Sequence, residues 1–181
     1  MLPIVAINIP EQVKLVDKSL LTEKEKVALN YIENKTKNIS HSGETLIDHF
    51  YGTYSILKNL KQTEDVCIAG LYHSIYGTDY FKPGVNVDER EIENIIGKYS
   101  NDLVKVFCSK NRDEVILKNT VNVEPKTHLD LLYLLYANFL EQAFREVNQA
   151  LAQNRMDIVN RAKSRHANIV SKIELIESSK T

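Results

Sequence analysis

"TLIDHFYGTYSILKNLKQTEDVCIAGLYHSIYGT" (residues 45–78) is the stretch that decides the fold. Leu46, His49, Phe50, Thr53, Ile56, Leu57 and Leu60 recur in steps of three and four, which places them on one face of an α-helix. After a tight connection, Thr63 stands where a helix N-cap belongs, with Glu64 and Asp65 in the first turn, where the helix dipole favours acids. Gly77 reads as the stop, because glycine tolerates positive φ. His49 therefore falls on or beside the buried face of one helix, and His73 in the last turn of the next. The question is whether these histidines are incidental core residues or are presented to a site.

Outward from this pair, the chain reads as helices. In "LTEKEKVALNYIENKTKN" (residues 21–38), Thr22 is a good N-cap, Glu23 and Glu25 fill the first turn, and Val27, Ala28, Tyr31 and Ile32 are spaced for one apolar face. Residues 1–20 read as an irregular arm broken by Pro3 and Pro10, with residues 9–20 able to turn helical after Pro10. Residues 78–86 form a loop, with Pro83-Gly84 marking a turn. Residues 87–111 give two short helices broken around Gly97. Residues 112–126 are ambiguous: β-branched residues suit a short extended piece, whereas Asn119, Asn122 and Pro125 suit a loop. "THLDLLYLLYANFLEQAFREVNQAL" (residues 127–151) is the strongest helix, with no proline or glycine and an apolar middle nearly all round, so it belongs at the centre of a bundle. Residues 154–181 hold one or two amphipathic helices. The expected architecture is one all-α domain over residues 1–181, with seven to nine helices and a core at 40–145.

Bulk composition narrows the function. At 181 residues the chain is long enough to close a sizeable core, and 43% hydrophobic with 26% charged residues is ordinary globular composition. A net charge of -1 gives no field that favours nucleic acid or an anionic membrane. No apolar run reaches the ~18 residues of a membrane span, and the start lacks a basic segment ahead of a long apolar one, so it makes a poor signal peptide. Cys67 and Cys108 both sit in apolar surroundings and read as buried free thiols, which fits a reducing, cytoplasmic setting.

Of the five histidines, His166 in "KSRHANIV" reads as a solvated helix residue. His49 and His73 matter most, because imidazoles facing each other from adjacent helices can share a metal or a proton relay.

The phrases "TLIDHFYGTYSILKNL" and "DVCIAGLYHSIYGT" resemble the core of the HD-domain superfamily of metal-dependent phosphohydrolases and related oxygenases, over about Ser40 to Arg145. The likeness is closer still to a branch that keeps a histidine-serine pair in the second phrase. The resemblance implies that His49 is the family's first histidine and His73 the histidine of its His-Asp pair. It sets Ser74 where the aspartate of that pair would stand, and Asn138, in "YANFL", where the final aspartate belongs. Serine and asparagine offer neutral oxygens, which hold divalent cations poorly, so the family's metal-activated water is put in question.

Other residues can take the place of the missing carboxylates. His41, ahead of the first phrase, can reach the same cavity through a loop; a triad of His41, His49 and His73 would suit a divalent transition metal such as zinc, iron or manganese. Asp48 points about 100° away from His49. Asp79 can swing back, Glu141 shares a face with Asn138, and His128 and Asp130 lie too far along their helix. If the metal is lost, Ser42, Ser74, Tyr76, Thr78 and Asn138 would line a polar pocket around His73, with His49 and His73 as the catalytic pair, and Arg112 as a clamp for an anion. Two functions are expected from this set. One is a small-molecule enzyme using His49 and His73, by metal-assisted hydrolysis or oxygenation. The other is a non-catalytic ligand-binding or partner-binding domain with a closed, packed centre. A small-molecule ligand is expected in either case, with no nucleic acid and no membrane, and the C-terminal helix is able to support a homodimer.

Overall fold

The computed structural model describes residues 13–41, 44–79 and 81–179, apart from the side chains of His41 and Glu44. Among these residues it is an all-α bundle of eight helices. The helices are α1 (Glu23–Thr36), α2 (Leu46–Asn59), α3 (Glu64–Tyr72), α4 (Glu89–Ile96), α5 (Lys98–Phe107), α6 (Arg112–Lys118), α7 (Pro125–Ala152) and α8 (Met156–Ser178). A two-residue bridge pairs β1 (Ser40–His41) with β2 (Glu44–Thr45), antiparallel, just ahead of α2. No described helix is long and apolar enough to cross a membrane.

The helices start where their caps dictate. Thr22 and Thr45 each close a capping box, with Glu25 and Asp48 reaching back to the cap N–H. Asp48 is thereby spent on the helix start, as its angle away from His49 suggested. Gly97 separates α4 from α5 at φ 86°, a conformation costly for any residue with a Cβ.

α7 is the central element: Leu131, Leu132, Leu134, Leu135, Ala137 and Phe139 are all buried. α2 and α3 pack against each other and against α7, and the α2–α3 crossing depends on Gly70. A Cβ there would stand 2.7 Å from Leu57 Cδ1 and 3.4 Å from the Tyr54 backbone. Tyr72 Oη donates to Ala28 O at 2.7 Å, which locks α3 to α1.

Several local expectations are corrected. Residues 13–17 are not helical, and only Lys18–Leu20 form a 3₁₀ turn. Side chains of α2 compete for the backbone there: Val16 N donates to Ser55 Oγ, and Tyr51 Oη and Asn59 Nδ2 donate to Val16 O and Lys14 O. On α1, Val27 is exposed and Leu29 is buried in its place, so the inward stripe is rotated from the expected one. Residues 112–118 form a helix rather than a strand or loop, bounded by Asn111 and Asn119 in the left-handed region. The C-terminal segment is a single helix, within the expected one or two.

Candidate functional site

α2 and α7 hold the first half of the site. His49 and Gly52 are one turn apart on α2 and face Glu141 on α7. Gly52 is what admits the carboxylate: a Cβ at that position would lie 2.9 Å from Glu141 Cγ. Glu141 accepts a hydrogen bond from His49 Nδ1, and Arg145, one turn further on, binds the same carboxylate through Nη1 at 2.8 Å and Nη2 at 2.9 Å. This bidentate geometry is the strongest form of a guanidinium–carboxylate contact.

α3 supplies the second half. His73 is the C-cap of α3, and its ring folds back so that Nδ1–H donates to Gly70 O at 2.8 Å. It thereby satisfies one of the carbonyls left open at the helix end. Phe50 and Phe107 meet the His73 ring edge-on, at centroid distances of 5.1 and 5.2 Å. The His73 carbonyl accepts from Cys108 Sγ at 3.2 Å, and burial pushes that thiol up to about 11.

The two halves meet at His49 Nε2 and His73 Nε2, 2.9 Å apart. Both Nδ1 atoms face oxygen acceptors and so carry their protons. Two neutral rings in that tautomer would oppose two lone pairs, so a hydrogen bond between the Nε2 atoms needs one further proton. A buried relay results: Arg145, Glu141, His49, His73, Gly70 O. His49 is 1% exposed, His73 0% and Glu141 4%, so this is a closed, packed centre.

The sequence-derived candidates divide. Asn138 is buried one turn before Glu141, and its Nδ2 has no hydrogen-bond partner among the described residues. Ser74 is also buried. Tyr76 and Thr78 do not line the histidine centre. They line a separate cleft of about 670 Å³ beyond α3, together with Lys82, Asn86, Cys108 and Lys110. Asp79 is held there by Asn111 N at 2.7 Å and does not swing back. Arg112 pairs with Asp113 at 3.2 Å and stacks on Phe107, so its guanidinium is already occupied. His128 binds Ile116 O, and Asp130 binds Tyr99 and Lys126, both away from the centre. His166 is half-buried rather than solvated, with Tyr136 Oη 3.1 Å from its Nε2. Ser42 and the side chain of His41 lie outside the described residues. Gly52, Gly70 and Arg145 are the participants the sequence reading passed over. For Arg145 a signal existed, its i+4 spacing from Glu141.

The donors around the two Nε2 atoms test the metal expectation. Among the described residues, no group of three or more His, Cys, Asp or Glu side chains is placed to hold a metal ion. Glu141 faces the far nitrogen of His49, and Ser74 and Asn138 carry no charge. At metal–nitrogen bonds of ~2.0–2.1 Å, the 2.9 Å spacing closes the N–metal–N angle to about 90°, well below the tetrahedral angle of zinc. The described donors alone therefore do not make a tetrahedral zinc site, and the side chain of His41, the third ligand expected, lies outside the described residues.

Residues 31–112 match a family model described as a domain of unknown function (DUF6817). That stretch contains both histidines and ends before α7, which supplies Asn138, Glu141 and Arg145. No curated protein and no solved structure matches the chain.

Proposed function

We propose that the chain is a divergent HD-like domain whose histidine centre holds a proton rather than a hydrolytic metal, and that it works as a small-molecule-binding domain. One observation carries this reading: the direct Nε2–Nε2 contact between two buried imidazoles, each anchored through Nδ1. That contact occupies the coordination positions a metal would need. Ser74 and Asn138, at the places of the family's aspartates, remove the negative charge a dication would require.

The ligand belongs in the cleft past α3, reached by the residues that follow His73. Tyr76 and Thr78 offer hydroxyls, and Lys82 and Lys110 offer ammonium groups that make no ion pair among the described residues. Val85 and Pro83 supply apolar wall. This mixture suits a small anionic molecule with an apolar portion.

A second reading rests on a specific observation. Histidines whose Nδ1–H is held by an oxygen acceptor are oriented as metal-bound histidines commonly are. A small opening of the pair would then admit iron, zinc or manganese, and the domain would be a metal-assisted hydrolase or oxygenase. Elemental analysis of protein purified without chelator or affinity metal decides between them. The binding-domain reading expects no stoichiometric metal, before or after reconstitution. It also expects thermal stabilisation by small phosphates or carboxylates that weakens in Lys82→Gln and Lys110→Gln. Near-stoichiometric iron, zinc or manganese, lost in His49→Ala, would establish the metalloenzyme instead.

A further inference from the structure

We infer that the seam between α7 and α8 is a second binding site, for a small organic anion with an apolar body. Here α7 runs past the main core, and Val147, Ala150 and Val159 form a small cluster of their own. Beside that cluster a cleft of about 440 Å³ opens between the two helices. Its floor is apolar, with Phe139, Ala150, Ile158 and Ala162. Arg161 and Arg165 stand on the α8 rim, one turn apart on the same face.

Two like charges at that spacing repel each other, and the chain relieves them only in part. Asp113 takes one Nη of Arg165 at 2.7 Å, and Phe139 stacks beneath its guanidinium at 5.3 Å. This fixes the guanidinium in place, while its Nε is buried with no partner among the described residues. Arg161 reaches Asp157 at 3.4 Å, but Arg155 already holds that carboxylate through two contacts of 2.9 Å. Asp157 is held at about 2, first by Arg155. Arg161 thus keeps donors to spare, and its side chain is 75% exposed. A carboxylate between the two guanidinium groups would relieve the repulsion, while an aromatic or branched aliphatic body would cover the floor. Glu146 on the opposite rim disfavours a second negative charge, so a monoanion is preferred. This site shares no residue with the relay or with the cleft past α3.

The test is titration of the full chain with naphthoate, against uncharged naphthylmethanol as control, followed by calorimetry. Saturable naphthoate binding is expected. It should weaken about tenfold in Arg161→Gln, since a hydrogen bond to a charged group contributes on that order. It should tighten in Glu146→Gln. Arg165→Gln should weaken it as well, and if that variant fails to fold, Arg161→Gln and Glu146→Gln decide alone. Equal affinity for the neutral probe, indifference to Arg161→Gln, or no naphthoate binding at millimolar concentration would overturn the assignment.

Discussion

Alanine at position 52 tests how tightly the relay is built. In an ordinary helix interior, Gly→Ala stabilises by about 1 kcal/mol, because alanine loses less backbone freedom on folding. At Gly52 the new Cβ would lie 2.9 Å from Glu141 Cγ, 3.4 Å from Oε1 and 3.6 Å from Cδ. Comfortable carbon–carbon separations are about 3.5–4.0 Å. Glu141 cannot swing aside at low cost, because Arg145 grips both its oxygens and His49 donates to one of them. Overpacking of this kind costs about 1–3 kcal/mol. Set against the helix gain, a net loss of about 1 kcal/mol is expected, and up to about 2. Denaturant titration followed by helical circular dichroism should show the midpoint falling with the slope unchanged. Melting should drop by about 2–4 °C for each kcal/mol in a chain of this size. The same substitution made in a Glu141→Ala background, where the obstructing side chain ends at Cβ, should reverse sign and stabilise. If Gly52→Ala raises the midpoint of the otherwise unaltered chain, or lowers it equally in both backgrounds, the close approach of α2 and α7 through this carboxylate is wrong.

Burial pushes the Cys67 thiol up to about 12 and Cys108 up to about 11, so neither is a thiolate at neutral pH. Disulfide exchange reagents should label the buried Cys67 only at the rate of unfolding, with the half-buried Cys108, at the cleft past α3, reacting sooner; rapid labelling of Cys67 in the native chain would contradict this. Burial also lowers His166 below its ordinary value of 6.5. The native state then binds fewer protons there than the unfolded chain, so stability should fall as pH drops through that value. His166→Gln should flatten this part of the pH profile, and parallel profiles for the two chains would exclude it. Arg145→Met should destabilise more than Arg161→Gln, because it takes the guanidinium away from a buried carboxylate, at about 3 kcal/mol against a few tenths for a surface charge. Equal losses in denaturant titration would remove Arg145 from the relay.

How much of this was legible depended on how local the signal was. Thr22 with Glu25, Gly97, and the unbroken apolar run of α7 each carry their reason within a turn or two, and the corresponding elements stand where the pattern put them. The asparagines misled for a physical reason. Asn119 reads as a sign of a loop, yet it adopts the left-handed conformation that asparagine tolerates, and together with Asn111 it delimits α6 rather than breaks it. Tyr76 and Thr78 were placed beside His73 because they follow it in sequence. The chain leaves α3 through turns closed by Ile75 N to Tyr72 O and Gly77 N to Ser74 O, which carry those side chains to the outer cleft. Hydrophobic period sets the face of a helix but not the direction of the chain beyond it. Glu141 shares the Asn138 face, as its spacing implied. Its contact with His49 depends on the α2–α7 crossing, a long-range feature that no pattern within a turn of either residue encodes.

The convergence of the histidines is best understood as two separate anchoring problems with one outcome. His73 is turned back by the open carbonyls at the end of α3, and the negative end of that helix favours positive charge on its ring. His49 is turned by Glu141, which Arg145 in turn holds in place. Neither anchor involves the other ring, yet each fixes an Nδ1 and so aims an Nε2 inward. The charges along the relay are then Arg145 positive, Glu141 negative and one shared proton. A single positive charge remains, which the C-terminal end of α3 favours. A dication in the same place would add a second, with Ser74 and Asn138 unable to offset it. On the proposed reading, the neutral Ser74 and Asn138 and the direct contact of the two Nε2 atoms describe one balance of charge, in which a proton takes the place of a dication.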